Sequence, residues 1–215
     1  MSFFTILDNS VERYFYGTRH SIGMRLPNGK VNQEQLRFIA AQEYHYYNST
    51  TWWNAGKILN AASIEDQRRL FFPLLDELGR DLVDESGLPA HAELFLRYCE
   101  GIGLTRQAIA RMPVLPAVYL AVSELHRIAA QRPTHEFIAC SNLVAEKMRP
   151  PHYQKLLRAF AEHYTWVPQD ALVFYEVHAE LDLEHESLVR RYVGGKSEQD
   201  NVFATVLRSL GLTPK

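Results

Sequence analysis

The chain has 215 residues, with 23 Lys and Arg against 25 Asp and Glu and a net charge of −2. Some 47 % of it is hydrophobic and 22 % charged, the balance of a globular domain that can bury a core. That balance excludes a disordered polyelectrolyte, and the scattered positive residues exclude a basic nucleic-acid footprint. No run approaches eighteen apolar residues, so no membrane span is expected. Met1 to Asp8 lack the basic leader and small-residue cleavage site of a secretory signal. Cys99 and Cys140, the two cysteines, fall within helix-like apolar patterns and read as free thiols in a reducing, cytoplasmic compartment.

Helical periodicity dominates the whole length, and few stretches alternate with a period of two. The pattern predicts helices over residues 3–19, 32–60, 64–79, 90–103, 105–131, 134–148, 152–163, 169–194 and 198–210. Punctuation supports the boundaries. Pro27-Asn28-Gly29 reads as a turn, and Asn32 can cap the helix after it. Ser63 and Asp66 have the spacing of a capping box. Gly87-Leu88-Pro89 breaks the chain, Arg132-Pro133-Thr134 starts a helix, and Pro150-Pro151 is expected to stop one. Gly194-Gly195 closes the last long segment. With no internal repeat and no linker, residues 1–215 read as one all-α domain, a bundle of antiparallel neighbours.

The sharpest chemical signal lies between Pro168 and Val193. On a helix, Ala171, Phe174, Tyr175, Leu181, Leu188, Val189 and Tyr192 form one apolar stripe that should face the core. His178, Asp182 and His185 fall in that same stripe, while Glu176, Glu180, Glu184, Arg190 and Arg191 take other faces. Burying even a neutral polar group without a partner costs about 2–7 kcal/mol. Three ionisable groups within two turns therefore call for a common explanation, and a metal provides one. Imidazole and carboxylate are usual ligands of iron and manganese.

Further ligands must come from other helices. Glu146 follows Ala139 and Leu143 on the inward side of its segment. Glu77 and His91 flank the break at residues 79–89, with Asp84 and Glu85 competing for the carboxylate role. On the segment 32–60, Tyr44, Tyr47, Thr51 and Trp52 are candidates to line a substrate pocket. Glu43 and His45 are assigned to the surface, as is Lys155.

These residues resemble a known group, the haem-oxygenase-like di-iron oxidases, which includes CADD-like and UndA-like enzymes. His178, Asp182 and His185 match the group's last element in type and spacing. Glu146 matches its lone glutamate, and the stretch from Glu77 to His91 resembles its first element, with a longer gap. A second likeness overlaps the first. Glu136 to Leu143 and His163-Tyr164-Thr165-Trp166 resemble parts of the cofactorless pyrroloquinoline-quinone synthases, which share the fold, as do the TenA-like hydrolases.

The first resemblance implies a haem-oxygenase-like bundle of about seven to nine helices. It also implies two irons, with manganese as the alternative, held by Glu77, His91, Glu146, His178, Asp182 and His185. The implied activity is dioxygen-dependent oxidation of a small amine-, amino-acid- or fatty-acid-like molecule in a biosynthetic pathway. An external reductant is admitted, and the family pattern favours a homodimer. Gly23 stands where one subgroup carries a tyrosine that it consumes as substrate, so an external substrate is expected. The second likeness leaves a metal-free oxidase or hydrolase as the alternative.

Overall fold

The computed structural model describes residues 9, 21–85, 87–140 and 142–180, with side chains described outside 139–147. Among them the chain is helical, and the one β-like feature is an isolated bridge between Gly79 and Pro89.

A short helix, α1 (Ser21–Arg25), runs into a 3-10 turn at Leu26–Asn28 that Gly29 closes in the left-handed region. The long helix α2 (Gln33–Tyr47) then opens with a complete capping box. The Gln35 amide donates to Asn32 Oδ1 at 2.9 Å, and the Asn32 amide donates to Gln35 Oε1 at 3.1 Å. Leu36, Ile39, Ala40, Tyr44 and Tyr47 are among its buried side chains, spaced as one helical face requires.

The segment expected as a single helix over 32–60 is two. A break at Asn48–Ser49 separates α2 from α3 (Thr50–Leu59). The physical reason is a run of hydroxyl side chains that compete for backbone carbonyls. Ser49 Oγ donates to the His45 carbonyl at 2.8 Å and Thr50 Oγ1 lies 2.9 Å from the Tyr47 carbonyl.

Helix α4 (Ile64–Leu78) begins at Ser63, whose hydroxyl accepts from the Asp66 amide at 3.1 Å. It carries Pro73 within its length and brings Asp76 and Glu77 to its last turn. Beyond it the chain doubles back to α5 (His91–Gly101). Gly79 is the hinge of that return. Its φ is +99°, and a Cβ there would lie 2.6 Å from the Ala90 amide nitrogen, so a side chain has no room. With Gly79 bridged to Pro89, the end of α4 and the start of α5 are pinned together.

The helix expected over 105–131 is likewise two: α6 (Arg106–Arg111) and α7 (Pro116–Gln131). Pro113 and Pro116 force Met112 and Leu115 into extended backbone, with ψ of 138° at both. Gln42 bridges this break to α2, donating to the Pro113 carbonyl at 3.1 Å and accepting from the Leu115 amide at 2.8 Å.

After α8 (Thr134–Cys140) comes α9 (Asn142–His163), which passes through Pro150 and Pro151 without stopping. The expected stop is overturned. A proline in a helix interior costs about 3 kcal/mol in lost hydrogen bonding and ring clash. Here the helix continues because Tyr153, Leu156, Ala159 and Phe160, one to three turns on, are buried in the core. Fully burying one such large side chain contributes about 1.5–3 kcal/mol. A 3-10 turn at Gln169–Leu172 leads into α10, described over 173–180.

Helix α2 packs on α5 and α7, α3 lies between α4 and α7, and α9 packs on α8 and on the turn at Leu26–Asn28. The main core gathers Phe95, Tyr98 and Cys99 of α5, Tyr153 and Phe160 of α9, and Phe174 and Tyr175 of α10 around the inner face of α2. Cys99 is a free, buried thiol, as expected.

Candidate metal centre

The site lies where α4, α5 and α10 meet. Helix α10 delivers His178 because Phe174, Tyr175 and His178 share its buried face, the stripe read from the sequence. His178 is only 3 % exposed. Its Nδ1 faces the Phe174 carbonyl at 2.7 Å. A protonated Nδ1 held in this way leaves Nε2 as the nitrogen that can bind a metal. Phe174 packs against the imidazole at 4.2 Å between centroids, and Tyr153 stands at 6.0 Å.

Helix α5 delivers His91 at its first position, 7 % exposed. The His91 and His178 rings are 4.4 Å apart, edge to face. Helix α4 contributes Glu77, whose Oε2 is 3.4 Å from His91 Nδ1. Glu77 Oε2 also lies 2.8 Å from Thr50 Oγ1. The break at Asn48–Ser49 therefore places a hydroxyl that orients the carboxylate. Burial alone would raise the Glu77 carboxyl, but the charge and hydrogen bond of His91 and the hydrogen bond of Thr50 outweigh it, bringing the pKa down to about 2. Burial drives His178 the other way for an imidazole, down to about 3, with His91 and Arg149 adding to the effect. A carboxylate that stays ionised beside a His178 imidazole that stays neutral is the protonation pattern a metal requires of those two groups.

The structure thus brings together Glu77, His91 and His178. It separates Asp84 and Glu85, both exposed, from them. Glu146 lies in α9, and because that helix runs on, it is an interior helix position rather than a helix end; its side chain lies outside those described. Asp182 and His185 fall outside the described residues. Among the described residues, no three His, Cys, Asp or Glu side chains form a complete metal-holding group. The donor chemistry of Glu77, His91 and His178 nevertheless fits iron.

A family model described as iron-containing redox enzyme matches residues 37–213. The chain belongs to this family. No curated protein matches it. Among solved structures, this iron-containing redox enzyme is similar to a domain of unknown function with a haem oxygenase-like fold from Shewanella denitrificans OS217. That pair shares 18 % identity and a TM-score of 0.70, over 97 % of this chain and 88 % of the other. A TenA homologue from Pseudomonas syringae pv. tomato DC3000 is 12 % identical with a TM-score of 0.75, over 97 % and 86 % of the two chains. A TenA homologue from P. horikoshii OT3 is 13 % identical with a TM-score of 0.67, over 99 % and 92 %. These likenesses establish the all-helical, haem-oxygenase-like fold.

The expected pocket residues divide. Tyr44 and Tyr47 are buried, and the Tyr47 hydroxyl is 2.6 Å from that of Tyr153. Trp52 is 75 % exposed, so its assignment to an internal pocket is corrected; the inward ring is Trp53, at 3 %. The break after Tyr47 rotates α3 relative to α2, which extrapolating one continuous helix could not anticipate. Lys155 is exposed as expected.

The surface assignment of Glu43 and His45 is overturned, since both are half-buried. Burial pushes the Glu43 carboxyl up to about 7 although Arg149 nearby lowers it. The signal for Glu43 was present in the sequence. It sits seven residues after Leu36 and four before Tyr47, on the same stripe of α2. Thr50, Arg149 and Tyr153 were also missed, and each acquires its place only through contacts between helices.

Proposed function

We propose that this iron-containing redox enzyme is a non-haem di-iron oxidase or oxygenase acting on a small external substrate with dioxygen. The observation that carries the reading is the meeting of Glu77, His91 and His178 deep in the bundle, three ligand-type side chains from three helices. In this reading Glu146, Asp182 and His185 supply the remaining ligands, and the bound irons supply dioxygen activation. The protein's own tasks follow from its residues. Phe174 holds the His178 ring and the Phe174 carbonyl directs its tautomer. Thr50 orients the Glu77 carboxylate. The packed rings of Tyr47, Phe95, Phe174 and Tyr153 exclude bulk water from one side of the site.

A cytoplasmic homodimer, with manganese as the substitute metal and an external reductant, completes the proposal. Among the described residues no helix is long and apolar enough to cross a membrane.

The test is anaerobic loading with ferrous iron, a count of bound iron, then addition of oxygen while the visible spectrum is recorded. Close to two irons per chain and a transient absorbance are expected. Binding of less than one iron, or no spectral change, would overturn the reading and favour metal-free oxidase or hydrolase chemistry. His178→Ala should lose both signals while keeping its helical circular dichroism.

A further inference from the structure

A succession of readily oxidised rings runs from His178 to the protein surface. Tyr153 stands 6.0 Å from the His178 ring, and its hydroxyl is 2.6 Å from that of Tyr47. Tyr47 meets Tyr46 edge to face at 5.3 Å, and Tyr46 meets Trp53 at 5.0 Å. The His126 imidazole is 5.6 Å from Trp53 and 6.0 Å from Trp52. Trp52 ends the series in solvent, 75 % exposed.

Packing alone does not call for this choice of rings. Filling a core takes aromatic volume, and phenylalanine supplies it without a hydroxyl or indole N–H to satisfy. Between Tyr153 and Trp52 every ring except His126 is a phenol or an indole, the aromatic side chains that give up an electron most easily. The other tyrosine series inside the bundle, Tyr175 and Tyr98, runs into Phe160, and Tyr164 beyond it is buried. His126 carries a further sign. Its Nε2 is buried with no hydrogen-bond partner among the described residues, which costs stability, yet its ring lies against both indoles. Arg149 lies over the Tyr46 ring at 5.7 Å and donates to the Tyr46 hydroxyl. A fixed cation there opposes positive charge on that ring, so Tyr46 bridges Tyr47 to Trp53 rather than holding a charge itself. Glu43 lies one turn before Tyr47 on α2, where its charge reaches that phenol.

We infer that Tyr153, Tyr47, Tyr46, Trp53 and Trp52 form a path that carries oxidising equivalents from the metal site to the surface when dioxygen reacts there without substrate. Phenols and indoles yield electrons only to strong oxidants, so the path vents an oxidant rather than serving ordinary reduction of ferric iron. Dioxygen at the site is the oxidant. One electron leaves the Tyr153–Tyr47 pair for the site, and one phenolic proton leaves the pair for Glu43. Trp53 refills the pair through Tyr46, and the proton returns from Glu43 as that electron arrives. Trp52 refills Trp53. The indole radical left at the surface takes an electron from a solution reductant such as ascorbate, which releases one proton to water. Every ring ends as it began, and the reductant is oxidised in place of the protein. The inference rests on the oxidase reading and gives the same site a means of surviving turnover without substrate.

The experiment has two arms, both on the full chain. In the first, metal-free protein with Trp166→Phe, which leaves Trp52 as the exposed indole among the described residues, is oxidised by azide radicals in pulse radiolysis. The azide radical takes one electron from Trp52 and becomes azide ion. The indole radical absorbance is expected to decay as a phenoxyl absorbance grows, at a rate independent of protein concentration. Trp53→Phe, which keeps an aromatic ring in the core, should slow that transfer ten-fold or more. The inference is overturned if no phenoxyl radical forms, or if Trp53→Phe transfers at the original rate. In the second arm, protein loaded anaerobically with ferrous iron receives dioxygen without substrate, and peptide mass spectrometry locates the oxidised side chains. Trp52 should be oxidised ten-fold or more above Trp166, which is exposed but outside the path. Ascorbate should suppress that oxidation, and Trp53→Phe should move the damage inward to Tyr47 and Tyr153. Equal oxidation of Trp52 and Trp166, or no effect of Trp53→Phe, would point to a diffusing oxidant and overturn the inference. The iron count separates this result from the underlying reading. Iron bound without radical transfer removes the path and leaves the di-iron site, whereas radical transfer without iron binding supports the path and removes the site.

Discussion

Glu43 and Glu77 are both carboxyls inside the bundle, and their surroundings drive them in opposite directions. Glu77 sits at the junction of α4 and α5 with an imidazole and a hydroxyl on its oxygens, and it is held ionised, its pKa near 2. Glu43 sits among tyrosines with a guanidinium nearby, and burial raises it to about 7. Depth alone therefore decides neither state; the number and placement of donors does. One end of the interior is built to hold a fixed negative charge, as a metal ligand requires. The other holds a charge that comes and goes near neutrality.

The largest way to break this contrast is to separate Glu77 from His91. Gly79→Val puts a branched side chain at a φ of +99° and against the Ala90 backbone. It should cost about 3 kcal/mol or more in denaturant unfolding and should lose iron binding together with stability. Unchanged stability would show that the return at residues 79–90 does not depend on that backbone state.

Thr50→Val removes the hydroxyl at Glu77 while keeping its shape. Loss of an oriented partner beside a ligand typically costs about 10- to 100-fold in metal affinity, so an anaerobic ferrous titration should weaken by about ten-fold or more. Thr50→Ser should recover most of that loss. A purely structural role for Thr50 would change the melting temperature and not the iron affinity.

Tyr47→Phe tests the partition between the two ends, because Tyr47 and Tyr153 stand between Glu43 and His178 with hydroxyls 2.6 Å apart. Losing this buried hydrogen bond should destabilise the fold by about 1 kcal/mol, measured by urea unfolding, with iron stoichiometry preserved.

The last test is a pH dependence at Glu43. Its folded pKa, about 7, lies above the ordinary value of 4.5, so the folded state holds the proton more tightly. Both states are protonated well below 4.5, and there the carboxyl carries no penalty. The penalty grows as pH rises from 4.5 to 7 and is constant above. Glu43→Gln should therefore raise the melting temperature at pH 8 and leave it nearly unchanged at pH 4.5. A gain of equal size at both values would mean that burial of charge is not its origin.

Much of the architecture was legible without coordinates because it is local. The Asn32 cap, the turn at Pro27-Asn28-Gly29 and the stripe that buries Phe174, Tyr175 and His178 all follow from spacing and side-chain chemistry within a few residues. The same stripe rule applied to α2 would have exposed Glu43; an acid among tyrosines was read as surface because charged residues usually are. What only the tertiary structure decided is what depends on distant partners. It set Glu77 beside His91 and left Asp84 and Glu85 exposed, with the bridge of Gly79 to Pro89 closing the return between α4 and α5. It carried α9 through Pro150 and Pro151, because burial of Tyr153 and Phe160 offsets what the prolines remove. It turned Trp53 inward and Trp52 outward, because three hydroxyl-bearing or amide residues after Tyr47 bent the backbone. Periodicity reports which face of a helix is apolar. Which helix that face meets, and so which carboxylate meets which histidine, is set by packing energies between segments far apart in the chain.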